Sequence, residues 1–503
     1  MDTWLRSRMH ELSDLHGVIN LAAWDREVYL PSKAAPARAQ QLSTLHALHH
    51  ERLVDPRLGD ALAHAAGPGA GAGSMTPDEQ AMVRVLTRER ERAVRVPARL
   101  VTALAAAQGE GIQAWREARE ARSFARFQPA LSALLALRRE QADAQGHDGE
   151  RYDALLEGFE PGMRVQRLTP VLTALRDALI PMVGALASVR RPPPAFLDGR
   201  AYDTDRQWRF TMRLLEAVGF DLEAGRQDLS IHPFTNALHA QDVRLTTRLD
   251  AKHPLSALFG TLHEAGHGLY EQGFAPEHQR TPLAAVPSMG LHESQSRLWE
   301  NLVGRGRPFW VHHFPALKEA FPQALADVDL DGFHAGINHV APSLIRVEAD
   351  EVTYNLHIVL RYELELALLR DELPVSELPS AWNERMRRYL GLTPPDDTQG
   401  VLQDIHWAWG EWGYFPTYAL GNLYAASLHA AAQRALPELD AHLAKGDTSP
   451  LRGWLRVQLH SQGFRLPAEE RVRAITGEGL TDRDFLQHLR AKYGALYGLT
   501  LKG

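Results

Sequence analysis

Apolar residues recur at three- and four-residue spacing through much of the chain, the period of amphipathic helices. Leu131–Gln145 reads LSALLALRREQADAQ and predicts one such helix. Arg84–Val94 (RVLTRERERAV) is rich in strong helix formers, and Glu91 precedes Arg95 by four residues, the spacing of a helical ion pair. Thr76-Pro77-Asp78-Glu79 predicts where that helix starts: Thr76 caps, Pro77 takes the first turn and Glu79 reaches back. The stretch before it, Ala65–Ser74 (AAGPGAGAGS), reads as a loop. Strand-like alternation is scarce. The pattern predicts a mainly α protein with a few short strands. Arg190–Pro194 (RRPPP) marks the expected boundary between an N-terminal helical lobe, 1–190, and a larger helical body, 191–503. No repeat of fixed period occurs. The chemical motifs spread from Ile231 to Tyr424, which favours one domain over the whole of 1–503.

No stretch reaches the ~20 apolar residues that a membrane-spanning helix needs. The apolar patch Val18–Trp24 is short and follows several charges, unlike an export signal. A cytoplasmic protein without a membrane partner is the expectation. Acidic residues number 62 and basic residues 55, a net charge of −7 with no strongly basic stretch, which argues against nucleic acid as a partner. There is no cysteine, so disulfides, zinc fingers, iron–sulfur ligation and a cysteine nucleophile are excluded. Any metal must be held by carboxylates and by some of the 24 histidines.

Leu258–Gln272 reads LFGTLHEAGHGLYEQ and contains His263-Glu264-Ala265-Gly266-His267, an H-E-x-x-H sequence. Residues four apart share a helix face, so His263 and His267 can bind one Zn²⁺. Glu264 is placed to take a proton from a water that the metal activates. Leu258, Phe259, Leu262 and Leu269 give the helix an apolar face. Gly266 and Gly268 each cost helix propensity of ~1 kcal/mol, so close packing against the metal or another helix is expected there. Position 273 is Gly, so a third histidine does not follow at the extended spacing. Met289–Asn301 (MGLHESQSRLWEN) supplies Glu293 instead, after a loop over Phe274–Pro287 and on a returning helix. A His₂Glu set with one open position is a catalytic zinc arrangement. His46, His49 and His50, and the adjacent His312 and His313, read as surface or packing residues. Asp396-Asp397 reads as a solvated turn after Pro394-Pro395.

These segments resemble the M32 family of metallocarboxypeptidases. Besides His263–His267 and His292-Glu293-Ser294, Ser230–Phe234 (SIHPF) is similar to the family's H-P-F element and Asp242–Thr246 (DVRLT) to its D-x-R-x-T element. Ile345–Asp350 (IRVEAD) matches I-R-x-x-A-D, and Gly400–Trp407 (GVLQDIHW) matches G-x-x-Q-D-x-H-W. Further similar stretches are Leu21–Pro31, Tyr152–Met163, Tyr414–Tyr424 and Leu489–Gly498. Gly268, where the family more usually has Ala, and Pro287 are small departures that remove no ligand.

The resemblance implies a large helical fold with a deep central groove and zinc on its floor. It implies a homodimer that removes single C-terminal residues from peptides with a free C-terminus, tolerating many side chains. In that reading Zn²⁺, one per chain and replaceable by Co²⁺, is held by His263, His267 and Glu293, and Glu264 is the proton carrier. Tyr414, Tyr418 and His406 are candidate donors to the oxyanion, with Tyr418 and His406 favoured. Arg346 and Arg244 are candidates for holding the substrate carboxylate, because the guanidinium fork binds carboxylate bidentately. Both have acidic neighbours that offer an internal ion pair instead. Gln403 is a candidate donor to substrate backbone. The alternative enzyme is a zinc oligopeptidase that cuts internally in short peptides.

Overall fold

Helices carry the chain in the computed structural model, which describes residues 1–67, 75–189, 191–197 and 199–501. Residues 68–74 of the expected loop and Arg190 at the expected boundary lie outside them. The helix expected around Leu131–Gln145 runs Gln128–Gln145. The helix expected from Thr76 runs Pro77–Arg95. Both arms of its capping box are formed: the Glu79 amide donates to Thr76 Oγ1 (3.2 Å), and the Thr76 amide to Glu79 Oε2 (3.1 Å). Arg95 pairs with Glu91 at 3.0 Å.

A small sheet interrupts the helices. Its strands are β1 (Gly225–Leu229), β2 (Thr235–His239) and β3 (Asp242–Thr247), in the order β1-β3-β2. β1 runs parallel to β3, and β2 antiparallel with Thr235 opposite Leu245 and Asn236 opposite Arg244. Strand alternation gives the sheet two duties. Val243 and Leu245 are fully buried, and Leu245 packs at the helix Pro254–Gln272 beside Gly268. Asn236 and Arg244 turn the other way, to the first helix, Thr3–Val28: Asn236 Nδ2 donates to the Asn20 carbonyl (2.8 Å) and Arg244 lies over Trp24.

One helix departs from the sequence expectation. Val165–Ser188 is long and apolar enough to cross a membrane by length and composition. Its Arg167, Arg176 and Asp177 had masked that run. In the fold its stripe Leu168, Leu172, Leu175, Leu179 and Leu186 joins the main core, while Arg176 pairs with Glu363 (2.5 Å) and Arg167 with Glu469 (2.9 Å).

The main core extends from Ala118 to Tyr497. A second, smaller core gathers Leu5, Met9, Leu58, Leu62, Met82 and Leu86 with Leu283 and Phe464. The smaller core thus joins residues 5–86 to Leu283 and Phe464, and the main core takes up most of the other buried apolar residues from Ala118 onward.

Candidate functional site

The H-E-x-x-H sequence lies on the helix Pro254–Gln272, and Glu293 lies on a return helix, Met289–Arg297. Ser288 starts the return helix by accepting from the Leu291 amide at 3.0 Å. Buried Glu160 accepts from the Gly290 amide beside it. The two helices approach so closely that a Cβ on Gly266 would collide with the Gln295 carbonyl and Ser296 Cα. That is the reason for a glycine between the two histidines. On the opposite side Gly421, in the helix Pro416–Ala435, makes room for the Glu293 side chain.

Glu293 Oε2 stands 3.5 Å from His263 Nε2 and 3.4 Å from His267 Nε2. One ligand atom from each of the three residues fits within 4.8 Å of the others, the sole such group of His, Asp and Glu found among the described residues. Zinc–ligand bonds of about 2.0–2.2 Å in a tetrahedron put neighbouring ligand atoms about 3.4 Å apart, so the donor set fits that ion.

The surroundings tune these groups. His263 Nδ1 meets Glu300 Oε2 at 2.9 Å. Arg297 Nε donates to Glu293 Oε1 at 2.7 Å, and its NH1 to Glu300 Oε2 at 3.3 Å. Burial would raise the Glu293 carboxyl, yet Arg297 and His263 hold it well below the usual range. Glu300 is likewise held down to about 2 against burial, by its bond to His263 and by Arg297. Burial lowers His267 to about 3, so its imidazole is neutral, as a ligand must be. Its ring stacks on His292 at 4.2 Å, and its Nδ1 has no hydrogen-bond partner.

Glu264 is buried beside the cluster, and Thr235 on β2 donates to its Oε2 at 2.6 Å. Burial raises its carboxyl above the ordinary value, which outweighs the pull of His263. A carboxylate with raised basicity is suited to accept and return a proton near neutral pH.

A second charged group lies one tyrosine away. Arg297 stacks on the Tyr354 ring at 4.5 Å, and Arg346 NH1 donates to the Tyr354 hydroxyl at 3.0 Å. Arg346 Nε and NH2 also donate to Asp404 Oδ1, at 3.0 and 2.8 Å. Arg361 Nε donates to Asp404 Oδ2 at 2.7 Å. Two buried guanidiniums thus share one carboxylate, leaving one positive charge over. Burial would raise Asp404, but the two arginines hold it far below the carboxylate range. Arg361 is fully buried and also bonded to His357 O and Gln403 Oε1, whereas Arg346 keeps N–H groups to spare. The acids that neighbour Arg346 in sequence are not its partners; Asp404 is.

His406 Nε2 and the Tyr418 hydroxyl are 3.2 Å apart. Tyr414 packs against both, with ring centroids 5.4 Å from His406 and 5.3 Å from Tyr418. Tyr418 lies under the Arg346 guanidinium (4.9 Å) and one turn before Gly421, which abuts Glu293. Burial lowers His406 to about 3 and raises Tyr418 well above its usual value, so both are neutral donors or acceptors.

Two expected substrate contacts are placed otherwise. Arg244 is locked to Asp242 by two bonds (2.9 and 3.0 Å) on the sheet face turned from the metal helix. Gln403 is used up internally. Its Nε2 donates to the carbonyls of Leu344, Gln399 and Gly400, and its Oε1 accepts from the Arg346 amide and Arg361. It holds the arginines rather than presenting a donor. The sequence reading missed Glu300, Arg297, Tyr354, Arg361, Asp404 and Thr235. Glu300 and Arg297 could have been found from their i+7 and i+4 spacing to Glu293; Arg361 carries no sequence signal. Elsewhere, His313 is buried against Phe309 (4.3 Å), Asp396 Oδ1 accepts from the Gln399 amide and Asp397 Oδ2 from the Phe124 amide.

This geometry has close counterparts. A family model described as carboxypeptidase Taq (M32) metallopeptidase matches residues 4–493. Thermostable carboxypeptidase 1 of Thermus thermophilus is 46% identical over 488 residues, 95% of each chain. The protein of the same name from Pyrococcus furiosus is 33% identical over 94% of each. The crystal structure of an M32 carboxypeptidase from Deinococcus radiodurans R1 superposes with a TM-score of 0.96 at 40% identity over 99% of both chains. The two histidines, the returning glutamate and the fold that holds them thus come with a match along almost the whole sequence, and the chain belongs to the M32 metallopeptidases, the family of carboxypeptidase Taq.

Proposed function

We propose that this metallocarboxypeptidase uses zinc to remove single amino acids from the free C-terminus of peptides, with broad side-chain tolerance. One observation carries the reading: Arg346, with donors to spare and an uncompensated positive charge at its ion pair, lies one tyrosine from the His263–His267–Glu293 set. A hydrolytic centre beside a buried cationic group suits a substrate whose carboxylate lies next to the bond to be cut.

His263, His267 and Glu293 would hold the ion, which when bound supplies Lewis acidity to polarise a carbonyl and acidify a water. Glu264 takes the proton of the attacking water on its carboxylate and returns it to the leaving amine. Thr235 keeps that carboxylate oriented. Arg346 binds the terminal carboxylate and sets the register of the scissile bond. Tyr418 and His406 supply hydrogen bonds to the oxygen that becomes negative as the carbonyl is attacked. Co²⁺ is expected to replace zinc. A cytoplasmic homodimer completes the proposal, and sedimentation of the purified chain tests the dimer.

Mass spectrometry of a peptide digest tests the reaction. Stepwise loss from the C-terminus, stopped by a chelator and restored by Zn²⁺ or Co²⁺, is the expected result. A C-terminally amidated peptide should be cut far more slowly than its free acid. Equal rates on the two would replace the carboxypeptidase reading with that of an oligopeptidase.

A further inference from the structure

We propose that Arg297 is the positioning residue of the metal centre, a single cation that sets one ligand directly and a second through Glu300. The proposal rests on the metal reading above and goes beyond the three ligands.

Arg297 follows Glu293 by one helical turn, and Glu300 follows by two, so the three side chains share a face. Glu300 is carried by a π-helical stretch, Leu298–Val303, that continues the return helix. Such widened turns recur at functional sites. The guanidinium is mostly buried, with 14% of its side chain exposed, and is sandwiched between the two carboxylates and the Tyr354 ring.

The first consequence concerns Glu293. Its Oε1 is occupied by Arg297 Nε at 2.7 Å, which leaves Oε2 to face both histidines. Ser296 Oγ donates to that same Oε2 at 3.0 Å, steadying it. Arg297 therefore makes Glu293 a donor of one oxygen rather than two.

The second consequence concerns His263. Glu300 Oε2 lies 2.9 Å from Nδ1, so the ring proton sits there and Nε2 keeps its lone pair, the tautomer a ligand needs. Glu300 would lie against a second carboxylate, Glu293, without a cation between them. Arg297 is that cation; Arg305, at 3.5 Å from Glu300 Oε1, is the more distant support. His267 has no such carboxylate and is oriented by stacking on His292. The two histidines are thus held by different means, and only His263 depends on the Arg297 clamp.

Arg297→Gln and Glu300→Gln, made in the full-length chain, test this. Zn²⁺ affinity is measured by competition with a chromophoric chelator, and the visible d–d spectrum of the Co²⁺-loaded protein reports the coordination. Both variants are expected to bind Zn²⁺ about 10–100-fold more weakly than the wild type. The Co²⁺ bands of Arg297→Gln should also change in intensity, because Glu293 is then free to offer both oxygens. Wild-type affinity in Arg297→Gln overturns the inference whatever Glu300→Gln does, and so does a loss in Arg297→Gln with none in Glu300→Gln. If Arg297→Gln does not fold, Arg297→Lys, which keeps the charge and loses the fork, takes its place: weaker Zn²⁺ binding with altered Co²⁺ bands is expected, and wild-type affinity and bands overturn the inference. A wild-type chain that binds neither ion overturns the metal reading itself, a separate result.

Discussion

At the scale of single residues, burial without a full counter-charge shapes the site, and two predictions follow from it. Glu264 is the one carboxylate at the cluster that is raised rather than lowered, since the cations nearby are engaged with Glu293 and Glu300. Glu264→Gln keeps the shape and removes the proton acceptor. Hydrolysis should fall by at least a thousandfold while metal content, measured by elemental analysis, stays at the wild-type level; activity within tenfold would sink the assigned role. Glu160 is a different case. Burial raises it from 4.5 to about 8, so between those values the folded chain keeps a proton that the unfolded chain has released. Stability contributed by that proton is present below pH 4.5 and is lost as pH rises to 8, by up to a few kcal/mol. Glu160→Gln cannot lose it. The melting temperature of the variant relative to wild type should therefore climb from pH 5 to pH 8, and parallel curves in differential scanning fluorimetry would contradict this.

At the scale of elements, helices were legible in the sequence and strand faces were not. The 3.6-residue period located the helix of His263 and His267, and the spacing to Glu293 located its return. A lone Arg244 in a short strand says nothing about which face it takes, because that depends on register with β2 and on Trp24, more than 200 positions earlier. Gln403 and Asp404 are neighbours in a stretch without regular structure, so no period told that both would turn to the arginines. Tertiary partners also decide the sign of helix substitutions. In an exposed helix Gly→Ala stabilises by roughly 1 kcal/mol. At Gly266 the added Cβ meets the backbone of the return helix, and overpacking of this kind costs about 1–3 kcal/mol. Gly266→Ala should lower the melting temperature and weaken Zn²⁺ binding, whereas a rise in both would show that the two helices can part without cost. Thr76→Ala, by contrast, removes only a cap and should cost about 1 kcal/mol in thermal unfolding, with activity unchanged.

At the scale of the whole molecule, the candidate metal ligands and the Arg346–Asp404–Arg361 group are tied into one core. The helices of His263, Glu293, Tyr354 and Tyr418 all contribute side chains to the main core, and none depends on the smaller N-terminal one. Two effects on stability then compete when the ion is removed. The large core and the Arg297 ion pairs persist, so the chelated chain should keep its helical circular dichroism. The linkage between binding and folding is lost, because the ligand set exists only when these helices are packed together. At a free Zn²⁺ concentration a hundredfold above the dissociation constant that linkage is worth about 2.7 kcal/mol. Chelation should thus lower the melting temperature by a few degrees without unfolding the protein at room temperature, and added Zn²⁺ should restore it in proportion to the logarithm of its concentration. Glu293→Ala should remove the dependence on added ion, and its melting temperature should lie below that of the chelated wild type, because buried Arg297 loses a carboxylate partner. A transition that ignores both chelator and Zn²⁺ would mean that the three side chains are brought together by the fold for some purpose other than holding a metal.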